Sequence, residues 1–325
     1  MGDLQRSAHG NGTRRDDFVR NSGMFHRALE EYYGPRGYGL ILNGDIEELY
    51  KFKLRQIRAA WERTYDIFGE FHGTGRLVKT VGNHDSRLLL DLKDHYPYPV
   101  DTVLAFTGLR YPILIYHGHQ VSAYYERFND ISRFGVRYFA LPLGIMNRSV
   151  AHHDRRRNSI ERRIYEFSRS KRIVSLIGHT HRPLFESLSK PEQLRFRIEY
   201  LLARYRKASE KRRQSIKVEI TALRSQLMEW RSRTHRNDLP SGIYATNDVP
   251  VPCLFNSGTV VGKRGMTCLE LADGKIRLVR WFASADEDAG RPERETTTLV
   301  GGEVHRQEIR QASVEYVMDS LNLLV

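Results

Sequence analysis

The chain has 325 residues, enough to bury a large core, and a single α/β domain with insertions is expected rather than two domains. Its 52 Lys+Arg against 39 Asp+Glu leave a formal net charge of +13, which attracts anionic partners without choosing among phosphoesters, nucleic acid and an anionic membrane face. Cys253 and Cys268 show neither CxxC spacing nor a disulfide framework, and no apolar run approaches the roughly 20 residues of a membrane span, so a soluble cytoplasmic protein is expected, with peripheral membrane association left open.

Residues 1–21 are polar and carry no apolar region of the signal-peptide kind. Residues 39–43 (GLILN) read as a short buried strand ending in a turn, and residues 77–81 (LVKTV) repeat the pattern. Between them Leu54, Ile57, Trp61, Tyr65 and Phe68 recur at helical spacing, so residues 49–71 are predicted as an amphipathic crossover helix in a βαβ unit. Residues 111–116 (YPILIY) and 172–177 (RIVSLI) are two further buried strands. The stretch between these carries Tyr124, Tyr125, Phe128, Ile131, Phe134, Tyr138 and Phe139, then the basic run Arg155, Arg156, Arg157, Arg162 and Arg163, and reads as a helical cap over about 122–171.

Leu194, Ile198, Leu201, Tyr205 and Ala208 form a stripe that Ile216, Ile220, Leu223, Leu227 and Trp230 continue in a shifted phase. With no Gly or Pro from 192 to 238 a single long helix stays open, but the phase break favours a helical hairpin over about 190–240 that turns near 212–215. Strands are predicted at 251–255, 267–271 and 276–282, the last two joined by a turn at Asp273-Gly274. Residues 283–325 read as a polar connection and a C-terminal helix outside a main domain of 1–282. Units of βα followed by a β-rich end predict an α/β fold with two sheets in a sandwich, flanked by helices and carrying helical insertions.

Four polar clusters stand at or near the ends of the apolar runs: GDIEE from Gly44, GNHD from Gly82, HGH from His117 and GHTH from Gly178. Strand ends can aim single side chains into a shared pocket, and paired cations need a bridging carboxylate with O and N donors on either side. Asp45 is the candidate bridge. Asn83 can offer an amide oxygen, and His117, His179 and His181 can offer imidazole nitrogens; His179 and His181, two apart on extended chain, are expected to face the same side. His84 is the candidate acid for a leaving group, with Asp85 expected to hold its imidazole. His119 is directed either to substrate or to solvent.

As a set, these clusters resemble the calcineurin-like metallophosphoesterase superfamily, whose pattern runs DxH, GDxxD, GNHD or GNHE, H and GHxH. The resemblance extends to residue 258 and takes in Asn256-Ser257-Gly258, which is similar to the turn after that family's last motif. It implies a two-sheet metallophosphoesterase sandwich and two divalent cations, Mn, Fe or Zn. Asp45 would bridge them, Asp3 and His181 would bind one, Asn83, His117 and His179 the other, and His84 would protonate the leaving group after in-line attack by a metal-held hydroxide. The counterpart of DxH is Asp3-Leu4-Gln5, where Gln5 replaces a histidine as a weaker ligand unless His9 is recruited, and the first strand is either short or begins upstream. GDIEE places Glu48 where the family has Asp.

The HGH cluster and the Arg-rich insertion resemble the UDP-2,3-diacylglucosamine pyrophosphatase branch, with His119 in place of that branch's Asp. A phosphorylated small molecule or a lipid-linked phosphoester is therefore the expected substrate, with Arg87, His119, Arg155 and Asn83 as its contacts. Nucleic acid stays open as a partner, and the helical insertion is a candidate for protein or membrane-surface contact. The alternatives are a nuclease or protein phosphatase of the same superfamily, or a degenerate phosphoesterase-fold scaffold.

Overall fold

The computed structural model describes residues 2–4, 10, 12, 16–90, 98–101, 103–106, 109–121, 154–188, 190–205, 208–233, 250–263, 265–284, 296–298 and 302–325. In chain order the described elements are β1 (Gly2–Leu4), α1 (Val19–Arg27) continuing into a π-helical turn (Ala28–Tyr33), β2 (Leu40–Asn43), α2 (Leu54–Ala60) and α3 (Glu62–Gly73). There follow β3 (Leu77–Thr80), β4 (Val100–Asp101), β5 (Val103–Phe106), β6 (Ile113–Tyr116), α4 (Asp154–Lys171), β7 (Val174–Ile177), α5 (Lys190–Tyr205) and α6 (Glu210–Arg233). The chain closes with β8 (Leu254–Asn256), β9 (Met266–Ala272), β10 (Lys275–Ala283), β11 (Thr296–Thr298), β12 (Val304–Ser313) and α7 (Val314–Leu324).

The fold is mixed α/β with two sheets. The first has eight strands in the order β11-β12-β10-β9-β1-β2-β3-β4, and the second four in the order β5-β6-β7-β8. β1 to β4 pair in parallel, as do β6, β7 and β8, whereas β9 to β12 form an antiparallel run. The alternating side-chain directions of a strand show plainly in β2. Leu40 and Leu42 join a core with Phe25 of α1, Phe68 of α3 and Trp281, while Ile41 joins a second core containing Ile115, Leu176, Phe255 and Leu278. That second core draws on strands of both sheets. Burying both faces explains why β2 and β7 read as continuous apolar runs.

The crossover predicted over 49–71 consists of two helices that meet at Trp61, where φ is −124°. α2 starts only at Leu54, so residues 49–53 form a turn between the GDIEE cluster and the helix. At the β9–β10 hairpin Asp273 and Gly274 both take positive φ, 53° and 66°, as a tight two-residue turn requires. The insertion after GHTH is a hairpin of α5 and α6. Leu201 and Ile216 are buried, Arg197 Nη2 reaches Glu219 at 2.8 Å, and residues 212–215, where the turn was expected, lie inside α6.

Residues 304–313, within the stretch 283–325 expected as a polar connection and C-terminal helix, pair along β10 as β12. The main sheet thus extends past 282, held by a buried ion pair in which Arg306 donates two hydrogen bonds to Glu270, at 3.0 and 2.6 Å. Among the described residues no helix is long and apolar enough to cross a membrane. Residues 122–153, the aromatic part of the predicted cap, lie outside the described residues; the rest of that range, 154–171, is the helix α4.

Candidate metal centre

The parallel strands end on one side, and the GD and GN clusters there interlock. Gly44 has φ 74°, and a Cβ on it would meet Gly82 N at 2.6 Å and His117 Nδ1 at 2.7 Å. A Cβ on Gly82 would meet Asp45 Oδ1 at 2.3 Å. Only glycine permits such close approach of two loops. Asp45 itself is held at φ 56°, fully buried, with Oδ1 accepting the His84 backbone N–H at 2.8 Å.

Its other oxygen, Oδ2, lies 3.1 Å from His117 Nε2, which in turn lies 3.2 Å from His179 Nδ1. One donor atom from each of Asp45, His117 and His179 falls within 4.8 Å of the others, and all three residues are buried. Donors spaced about 3.0–3.4 Å apart form the edge of a coordination shell whose bonds are about 2.0–2.2 Å. His117 is oriented for this, since its Nδ1 donates to the Asn43 carbonyl at 2.8 Å and leaves Nε2 facing the carboxylate. Asn83 Oδ1, in the loop whose His84 N–H bonds Asp45, is buried and has no hydrogen-bond partner among the described residues. A buried carbonyl lone pair left unmatched is costly, and a cation would satisfy it.

The electrostatics suit a cation. Burial, then the neighbouring His117, pushes His119 down to about 3, and the same two causes hold His179 well below the usual histidine range, so both are neutral donors near pH 7. Burial also opposes charge on His117, but Asp45, the Asn43 carbonyl and Asp85 outweigh it and raise its pKa. In this arrangement a proton on His117 answers the Asp45 carboxylate, as a metal ion would.

Asp85 does not hold His84, contrary to expectation. It is buried behind the loops, accepting N–H groups of Gly82 at 2.6 Å and Ile46 at 2.8 Å and the Lys79 ammonium at 3.2 Å. Lys79 is itself buried and donates to Glu47 Oε2 at 2.8 Å, while Tyr65 donates to Glu47 Oε1 at 2.9 Å. This triad ties the GDIEE and GNHD loops together. The partner of His84 is Glu48, with both carboxylate oxygens 3.0 Å from Nδ1, and the Tyr50 ring lies 5.1 Å from the imidazole. Glu48 was visible as the last residue of GDIEE, but sequence adjacency favoured Asp85.

The histidines of GHTH are not on extended chain. His179 has φ 62° and His181 φ 58°, and Thr180 N–H donates back to the Gly178 carbonyl at 2.6 Å, a γ-turn about His179. Such backbone costs of order 1–3 kcal/mol per residue and persists only when its surroundings impose it. Here the buried Thr180 hydroxyl donates to Glu161 of α4 at 2.6 Å and accepts from Asn256 Nδ2 at 2.8 Å. Asn256 also donates to the Gly178 carbonyl at 3.1 Å and caps Gly258 N–H at 2.9 Å, so the Asn256-Ser257-Gly258 turn braces the loop. Arg182 pairs with Glu161 as well. Glu161 was not anticipated, because nothing in a polar helix marks the one carboxylate that faces inward.

Asp45, His117 and His179 thus surround one locus, and the GNHD loop with Asn83 and His84 adjoins it through the His84 N–H bond to Asp45. His119 is 7% exposed, its ring 5.4 Å from that of His117, which places it within the cluster rather than toward solvent. His181 is half-buried and outside the close trio, near enough for its charge to act on His179. β1 sets Asp3 beside Ile41, four positions before Asp45 in the parallel register. The side chains of Asp3 and Arg155 lie outside the described residues, as do Gln5 and His9. Arg87 is exposed on the 3₁₀ turn Ser86–Leu89 that follows GNHD.

No protein-family model matches the chain, and no curated protein does. Among solved structures it is similar to a single mutant of Vps29 from Entamoeba histolytica, at 11% identity over 95% of this chain and 97% of that one, with a TM-score of 0.37. It is also similar to Yfce, a phosphoesterase from E. coli, at 10% identity over 96% and 98% of the two chains, with a TM-score of 0.37. Likeness at that level decides neither fold nor function.

Proposed function

We propose that this chain is a metal-dependent hydrolase of phosphoester bonds, built as a two-sheet metallophosphoesterase sandwich with a cap at about 122–171 and a helical hairpin at about 190–240. The observation that carries the reading is the buried Asp45, His117 and His179 trio, with an unmatched amide oxygen of Asn83 and the Glu48-held His84 on the loop that bonds Asp45. The donor set, one carboxylate oxygen, one amide oxygen and two imidazoles, suits a borderline divalent ion such as Mn, Fe or Zn. Asp45, Asn83, His117 and His179 would hold one ion; Asp45, His181, Asp3 and Gln5 would hold a second. Such ions supply Lewis acidity toward phosphoryl oxygen and make water acidic enough to attack at neutral pH.

The chain's own residues do the rest. Asp45 is locked by the His84 N–H, so its second oxygen keeps one direction. His117 is held by a backbone carbonyl, and the GHTH loop is braced from α4 and from Asn256. In hydrolysis the bond from phosphorus to the leaving oxygen breaks, a water oxygen takes its place, and His84 gives its proton to the leaving oxygen while Glu48 keeps the imidazole aligned. Arg87, His119, Asn83 and Arg155 are proposed to meet the substrate, a phosphorylated small molecule or lipid-linked phosphoester.

The test is metal content by elemental analysis together with turnover of a phosphomonoester, a phosphodiester, a nucleotide-sugar pyrophosphate and DNA with Mn, Fe or Zn supplied. Stoichiometric metal and turnover that both vanish in Asp45→Asn support the reading. A wild-type chain that takes up no metal and turns over none of these would make it a scaffold.

A further inference from the structure

One face of α4 packs against both histidine clusters. Ile160, Glu161, Ile164, Tyr165 and Ser168 are buried at helical spacing, and Ile160, Ile164 and Tyr165 join the second core with Leu176 and Ile177 of β7. Glu161 is the carboxylate in that stripe, and it is 0% exposed. Its Oε1 accepts the Thr180 hydroxyl at 2.6 Å, and the carboxylate also pairs with Arg182. Thr180 stands between His179 and His181, and Arg182 follows them, so one side chain of α4 grips the GHTH loop on both sides of His181. The helix reaches the HGH turn as well. A Cβ on Gly118 would lie 3.6 Å from Ile164 Cδ1 and 3.6 Å from His179 Cβ, which places Gly118 between α4 and His179.

We propose that Glu161 is a positioning residue for the cation site, and that through it the placement of α4, the described part of the cap range, sets how tightly the site holds its ion. The inference rests on the hydrolase reading for the ion and deepens it by giving the cap helix a part in ion binding. Packing alone does not ask for this carboxylate, because an apolar side chain of similar volume often serves a buried position as well as an ion pair does. Metal-ligating side chains, by contrast, depend on hydrogen-bonded partners behind them for their direction. Glu161 draws the Thr180 hydroxyl toward α4 and so keeps the positive-φ turn that brings His179 Nδ1 to 3.2 Å from His117 Nε2. Without it the strained loop relaxes toward ordinary backbone and His179 leaves His117. Linkage makes the effect reciprocal: if loosening α4 weakens ion binding, an ion in the site tightens α4 by the same free energy.

The experiment is calorimetric titration of the metal-free full chain with Mn(II), for wild type, Glu161→Ala, Glu161→Gln and Ser168→Ala, together with hydrogen exchange of the wild type with and without Mn(II). Ser168 is the control for general loosening of α4. It lies seven residues farther along the helix, bonded to the Ile164 carbonyl and the Ser175 hydroxyl at 2.7 Å each. Glu161→Ala is expected to bind Mn(II) about tenfold to a hundredfold more weakly, the usual cost of losing a partner behind a ligand. Glu161→Gln, which still accepts from Thr180, should recover part of that loss, and Ser168→Ala should bind as wild type does. Mn(II) should slow exchange in α4 as well as in the GHTH loop. Wild-type affinity in Glu161→Ala, an equal loss in Ser168→Ala, or exchange slowed in the loop but not in α4 overturns the positioning role. The exchange measurement needs no variant, so it decides even where Glu161→Ala does not fold. A wild type that binds no Mn(II) overturns the hydrolase reading and this role together, whereas tight binding that is indifferent to Glu161 overturns the role alone.

Discussion

Replacing Lys79 by Met removes the cation on which two buried carboxylates depend. Its ammonium is 2.8 Å from Glu47 and 3.2 Å from Asp85, and all three side chains are 0% exposed. At an effective dielectric near 20 each attraction is roughly 5–6 kcal/mol gross, most of it offset by desolvation. What survives removal of one partner is two uncompensated charges, and breaking such an arrangement typically costs about 3–5 kcal/mol. Over a 325-residue chain, unfolding entropy near the midpoint is about 0.7 kcal/mol/K, so the melting temperature should fall by about 4–7 °C.

The pH dependence carries a second signature. Burial opposes charge on Asp85, but Lys79 and the N–H groups of Ile46 and Gly82 hold its pKa below the usual range. Without Lys79 the orphaned carboxylates bind protons more tightly folded than unfolded, so the variant's deficit should shrink as pH falls from about 7 toward 5. Differential scanning calorimetry of Lys79→Met, Glu47→Gln and the double variant in chelator reads both effects. The double variant should recover part of the loss, because it leaves one buried charge fewer. A melting temperature within about 1 °C of wild type, or a deficit independent of pH, would refute the electrostatic account of this triad.

Two further predictions follow from named contacts. Glu48→Gln should slow hydrolysis of an alkyl phosphoester by about tenfold to a hundredfold while sparing a nitrophenyl ester, which needs little protonation on departure; equal losses on the two substrates would remove Glu48 from the acid's support. His26 is pushed down to about 4 by burial and by Arg63. Between about 6.5 and 4 the unfolded chain therefore binds a proton that the folded chain does not, and stability should drop with falling pH at up to about 1.4 kcal/mol per unit. Urea midpoints should show this slope in wild type and lose it in His26→Leu; a variant with the wild-type slope would contradict the assignment.

The strands that carry the site were legible because β2, β3, β6 and β7 are short apolar runs that stop at a polar cluster, and burial of both faces makes such runs conspicuous. β12 was not, because VHRQEIRQAS has few apolar residues. Its stability comes from pairing along β10 and from the Arg306 to Glu270 pair, two long-range terms that no local window contains. The ligand candidates Asp45, His117 and His179 could be read from order and type alone. Partnership could not: Glu48 rather than Asp85 reaches His84, since the turn after Asp45 folds Glu48 back over the GNHD loop while Asp85 points inward to Lys79.

The same distinction explains the strained backbone. Asp45, His179 and His181 are three of the seven non-glycine residues at positive φ among those described, and each sits in a cluster proposed to face a cation. A sequence under selection for stability alone would place glycine or asparagine there. Glycine is present one residue before the first donor of three of the four clusters, at Gly44, Gly82 and Gly178, which lets the loops approach, but the strained positions themselves keep their carboxylate and imidazoles. The Lys79 triad on one side and Glu161 with Asn256 on the other supply the contacts that hold those residues in place. Stability is therefore concentrated behind the donors, and Asp45 and His179 are left within reach of His117 and of each other, as a preorganised cation site requires.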